Sequence, residues 1–115
     1  RHTRKHRLVS AAQYQRVFDQ PQKKSGDKLF TLLAQPNDAG MARLGLAVSS
    51  KTVRHAVARN RIKRIVRETF RQRREQLEAL DFIVIARSGA DRKTKHELHA
   101  ALDKAWSSFI RCKNS

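Results

Sequence analysis

Between Ala58 and Arg74 the sequence reads ARNRIKRIVRETFRQRR, eight Lys or Arg set against one carboxylate, Glu68. A guanidinium offers forked N–H donors that meet phosphate oxygens two at a time, and an ammonium adds a compact point charge. Side chains of these types at this density therefore suit a polyanion. On a helix with Asn60 at zero, Lys63, Arg64, Arg67, Arg71 and Arg74 fall within about 60° either side of it. Ala58, Ile62, Ile65, Val66 and Thr69 centre on the opposite side with Phe70 at the border, so one face is expected to pack while the other projects cations. A solvated helix face ordinarily interleaves Glu with Lys at four-residue spacing. Here pairs such as Arg59/Lys63, Lys63/Arg67 and Arg67/Arg71 repel by roughly 0.2–0.5 kcal/mol each, a cost that an anionic ligand offsets.

Asn60 interrupts the cations with a side chain of poor helix propensity and no charge. Its amide both donates and accepts. That suits a specific hydrogen bond to a base edge, a 2′-hydroxyl or a neighbouring backbone group, with Arg59 and Arg61 on either side as phosphate forks. A capping Asn at a helix start is the other reading that the residue type allows.

Other chemistries find little support. His2, His6, His55, His96 and His99 form no acid–base pair, and His96 with His99 lacks a third metal ligand. His55 suits an RNA contact or a helix start. Asp and Glu are too sparse for a two-metal nuclease centre, so neither a catalytic nor a metal-binding residue is assigned to the chain. Cys112 is the lone cysteine, which excludes an internal disulfide and suits a cytoplasmic protein. No apolar run approaches a membrane span, and RHTRKHR leads into no signal-like apolar stretch. With 26 Lys and Arg against 10 Asp and Glu, a formal charge of +16 points to nucleic acid.

Positioning this stripe needs a scaffold, and 115 residues supply one domain. Residues 1–8 read as a mobile basic arm. Ser10 can cap a first helix carrying Ala11, Tyr14, Val17 and Phe18, which Pro21 limits. QKKSGDK reads as a polar turn. LFTLLAQ (29–35) and ARLGLAVS (42–49) read as strands at hairpin distance. The basic helix is expected to start between Lys51 and Ala58 and to run to about Leu80. DFIVIAR (81–87) is an apolar strand for a sheet interior. A last helix from Lys95 to about Arg111 aligns Leu98, Leu102, Ala105 and Phe109, flanked by Ala101 and Trp106. The order α-β-β-α-β-α, with room for one more short strand, implies an α+β class and a single-domain α-β sandwich.

ARNRIKRIVRE resembles the Arg-Asn-Arg signature of the bacterial ribonuclease P protein subunit family, with Arg59, Asn60, Arg61, Lys63, Arg64 and Arg67 at matching positions. LVSAAQYQRVFDQ is similar to that family's first helix, RLGLAVSSKTVRHAVARNR to its strand running into the signature, and LDFIVIAR to its buried third strand. Ser50 departs, since family members often carry paired lysines where only Lys51 stands here. The resemblance implies a left-handed βαβ crossover at the signature helix, against the usual hand of such connections. It implies a protein cofactor of a ribozyme whose RNA subunit removes the 5′ leader of precursor tRNA with Mg²⁺ held chiefly by RNA and substrate.

On that resemblance Lys51, Arg54, Arg59, Asn60, Arg61, Lys63, Arg64, Arg67 and Arg71 would meet the ribonuclease P RNA. Tyr14 and Phe18, with Phe30 and Leu32 on an exposed sheet face, would line a cleft for the leader, where base stacking contributes on the order of 1–3 kcal/mol per base. One protein is expected per RNA, away from any membrane. A general RNA-binding or ribosomal-type protein without a processing role is the alternative.

Overall fold

The computed structural model describes residues 7–8, 11–26, 28–37 and 39–110. Its elements are α1 (Ala11–Asp19), β1 (Lys23–Gly26), β2 (Phe30–Pro36), β3 (Arg43–Ala47), α2 (Ala56–Arg73), β4 (Leu80–Ala86), a 3-10 turn (Ala90–Arg92) and α3 (Lys95–Ser107). The sheet order is β1-β2-β4-β3. One face carries α2 and α3 and the other carries α1, which makes a mixed α+β domain of three layers.

β4 explains the topology. Its residues are buried except for half-buried Ile85, and a strand apolar on both faces is stable only in the sheet interior. It therefore lies between β2, which it pairs antiparallel, and β3, which it pairs parallel. The expected hairpin between the second and third strands does not form, because β4 separates them. The stretch read as a polar turn is instead edge strand β1, which satisfies the outer backbone groups of β2 from Lys23↔Ala34 to Gly26↔Thr31.

α2 buries Ile62, Ile65, Val66, Thr69 and Phe70, the face that the helical wheel assigns to packing. The helix stops at Arg73, not near Leu80. Beyond Phe70 the inward positions Arg73 and Gln76 are polar, and Leu77 leaves in a turn to a bridge with Ile110, where it is buried. Thr69 Oγ1 donates to the Val66 carbonyl at 2.9 Å and accepts from Trp106 Nε1 at 2.9 Å, which ties α2 to α3. Trp106 also packs on Phe70 and Phe82 at centroid distances of 5.6 and 5.3 Å.

α3 starts at a capping box: the Glu97 N–H donates to Thr94 Oγ1, and the Thr94 N–H donates to Glu97 Oε1. The backbone hydrogen bond from Thr94 holds the Glu97 carboxyl below its ordinary range. The helix ends four residues short of the expected Arg111, where Ser108 caps it and Phe109 turns into the core.

On the other face Val17 of α1 packs with Leu8, Leu33 and Ile83. Leu8 is buried, and its N–H donates to the Leu44 carbonyl at 2.9 Å. Arg7 and Leu8, expected in the mobile arm, are instead tied to β3. Residues 1–6, and the expected cap Ser10, lie outside the described residues.

Candidate nucleic-acid interface

α2 begins at N-cap His55, whose side chain makes no capping bond. Ser49 folds the approach, its hydroxyl bonding the Thr52 N–H and hydroxyl, and this turn leaves Lys51 and Arg54 exposed. Asn60 is the fifth residue of the helix. It therefore cannot be a cap, and its exposed amide has no helix-end role.

Asn60, Lys63, Arg64, Arg67, Glu68 and Arg71 line a shallow trough of about 460 Å³ along one side of α2. Among the described residues, Lys63, Arg64, Arg67 and Arg71 have no ion-pair partner. Glu68, the one carboxylate in the trough, lies 4.0 Å from Lys95 Nζ and 3.4 Å from His99 Nε2, both on α3. Arg64, Arg67 and Arg71 are exposed and Lys63 is half-buried, and among the described residues no carboxylate pairs with them.

Two expected phosphate ligands are partly engaged elsewhere. Arg59 Nη1 donates to the carbonyls of Val53 and Arg54 at 3.0 and 2.8 Å, fastening the entry turn to the helix. Arg61 Nη2 donates to the Lys93 carbonyl at 2.7 Å, joining α2 to the loop before α3. On the wheel both sit at the border between the packed and the open face, so their long side chains reach neighbouring loops.

The aromatic expectation divides. Phe18 is 42% exposed on α1. Tyr14 is half-buried, and its hydroxyl accepts the Leu46 N–H at 3.1 Å. Phe30 and Leu32 do not line a cleft: they are 1% and 0% exposed, in the core under α2 and α3. Successive side chains alternate across a sheet, so it is Thr31, Leu33 and Gln35 that face α1. The register then aligns Gly26, Thr31, Ile85 and Ala47 in one row across that face. None of the four is fully buried, and Arg87 Nη1 donates to Thr31 Oγ1 at 3.2 Å. Sequence reasoning missed these residues; the Thr31 hydroxyl inside an apolar strand was the available signal.

At the far end of the same face Asp81 is wholly buried. Arg43 holds it through Nε at 2.7 Å and Nη2 at 2.9 Å, and Asn37 Nδ2 donates at 2.7 Å. This bond to Asp81 raises the Arg43 pKa above its ordinary value.

Fold and trough together define a class: a small α+β protein that presents a cationic helix to a polyanion. The family model for Ribonuclease P matches residues 3–109. Curated relatives named ribonuclease P protein component include one from Salmonella arizonae, 44% identical over 91% of this chain and 87% of that protein. Another, from Methylococcus capsulatus, is 45% identical over 94% of this chain and 84% of that protein. Among solved structures, the RNase P protein of Staphylococcus aureus superposes with a TM-score of 0.82 at 31% identity, covering 90% of this chain and 94% of that one. That of Thermotoga maritima gives 0.78 at 25%, covering 91% and 98%.

The chain belongs to the ribonuclease P protein family. Its role is that of the protein subunit of bacterial ribonuclease P, a tRNA-processing endoribonuclease. The family implies an RNA partner and an RNA-based, metal-dependent enzyme. No helix among the described residues is long and apolar enough to cross a membrane.

Proposed function

We propose that the α2 trough docks on the phosphate backbone of the ribonuclease P RNA, and that the face between α1 and the sheet guides the 5′ leader of precursor tRNA. The observation that carries this reading is the set of four trough cations without ion-pair partners among the described residues, Lys63, Arg64, Arg67 and Arg71. Counterion release from phosphate supplies the affinity. Asn60, fixed inside the helix and beside Lys63 and Arg64, adds a directional hydrogen bond. Lys51, Arg54 and the free N–H groups of Arg59 and Arg61 extend the surface towards the start of α2.

On the α1 face Phe18 offers a ring for stacking, Tyr14 borders the cleft, and Thr31, Ile85 and Arg87 form its floor. They take the place of Phe30 and Leu32. Arg87 supplies a cation beside the bases.

Mg²⁺ supplies the charge neutralisation that hydrolysis of a phosphodiester needs. The described residues do not fit that ion: hard cations take clustered carboxylate oxygens, whereas the trough is cationic and Asp81 is consumed by Arg43 and Asn37. The metal is assigned to the RNA subunit and its substrate, and the chain acts by binding and positioning, as one copy per RNA in the cytoplasm. Adding purified chain to cognate ribonuclease P RNA should lower the Mg²⁺ concentration needed to cleave precursor tRNA. Binding without any such shift would favour a general RNA-binding protein instead.

A further inference from the structure

A second basic hollow lies around the outer edge of β3. Arg7, Leu8, Tyr14, Leu44, Leu46, Lys63 and Arg67 enclose about 200 Å³ there, with three cations and no carboxylate among the described lining residues. Its floor is built from neighbouring parts of the fold. Leu8 is buried and hydrogen-bonded to Leu44, and the adjacent Arg7 bridges the same residue, so exposed Arg7 is held at the rim. The Tyr14 ring packs against β3 at Gly45, the residue that leaves room for it: a Cβ at 45 would come within 2.9 Å of both that ring and Leu8 Cδ1. Tyr14 Oη then takes the outward Leu46 N–H, so this edge does not recruit another strand.

Lys63 and Arg67 line both this hollow and the α2 trough. The two are therefore continuous around β3, the strand edge that separates the helix layer from the α1 layer. We propose that the β3-edge hollow binds one RNA phosphodiester, clamped between Arg7 and the Lys63/Arg67 pair, where a strand passes from the trough to the α1 face. Three cations from two distant segments converge there without a counter-charge among the described residues, which is the arrangement a single phosphate neutralises. The inference rests on the proposed function, and it adds Arg7 to the binding residues.

The test compares wild type with Arg7→Gln, Arg7→Lys, Lys63→Gln and the Arg7→Gln/Lys63→Gln double variant. Affinity is measured against salt in two arms: cognate ribonuclease P RNA with the chain alone, and precursor tRNA with or without its leader bound to the holoenzyme. Arg7→Gln should flatten the log–log salt slope by about 0.7–0.9 in one arm, the contribution of one phosphate contact, and that arm identifies the RNA. Arg7→Lys should restore most of it. The double variant should lose less than the product of the two single fold-changes, because both cations serve one phosphate. Slopes unchanged by Arg7→Gln in both arms, or losses that multiply, would overturn the inference while leaving the trough in place. A wild-type chain without salt-dependent binding in either arm would overturn the proposed function and the hollow with it.

Discussion

Asp81 and the α2 trough are opposite solutions to the problem of charge. At Asp81 one wholly buried carboxylate is met by a two-pronged Arg43 and by Asn37, because a buried charge without partners is among the costliest defects a fold can carry. In the trough four cations along one helix face have no ion-pair partner among the described residues. The first arrangement serves the fold. The second is the face we propose for an outside anion. Where the chain pairs its charges shows what it needs to stand alone, and where it leaves them open shows what it needs from a partner.

The comparison can be broken in several ways. Asp81→Ala strands Arg43 and should cost about 3–5 kcal/mol of stability in denaturant titration, with RNA affinity preserved in whatever remains folded. A loss near zero would mean that the pair is ornamental. On the packed face of α2, Thr69→Val leaves the buried Trp106 indole N–H without its acceptor and should cost about 1–3 kcal/mol, again without altering the salt dependence of RNA binding. Arg61→Ala occupies the border. Its bond to the Lys93 carbonyl predicts a stability loss of about 1 kcal/mol together with weaker RNA binding. Retained stability with weaker binding would move Arg61 wholly onto the open face.

Arg64→Gln should leave stability within about 0.5 kcal/mol and flatten the salt slope by roughly 0.9. The smallest effect belongs to Glu97. Its folded-state pKa is depressed by the capping bond from Thr94, so its stabilisation is complete above the ordinary carboxylate range and fades as pH falls through the lower folded value. Glu97→Gln should therefore differ from wild type most near neutral pH and converge with it in acid, as read from melting temperatures across pH.

The two faces of α2 could be read from the sequence because charge and apolarity there repeat at the helical period, from Ile62 through Phe70 on one side and from Asn60 through Arg71 on the other. β4 could be recognised as an interior strand because its apolar run lacks polar alternation. For the same reason the orientation of β2 could not be read. Apolar side chains occupy both of its faces, and only the pairing of Thr31 with Ile85 fixes Phe30 and Leu32 in the main core. β1 carries no apolar signal, being an edge that exists to satisfy the backbone of β2. Arg59 and Arg61 read as free forks because the carbonyls they bind belong to loops whose approach is set by tertiary structure. Arg7 reaches the β3-edge hollow only through Leu8 and Leu44, a contact that no local pattern announces.

The most direct test is the salt dependence of affinity between the purified chain and cognate ribonuclease P RNA. Each phosphate met by Lys63, Arg64, Arg67 and Arg71 should contribute about −0.9 to the log–log slope. Replacing all four with Gln should flatten the slope by that contribution while the chain stays folded, leaving only what Lys51, Arg54 and the other basic residues supply. A slope already flat in the wild type, or one unaffected by the fourfold replacement, would contradict the assignment of the trough to RNA.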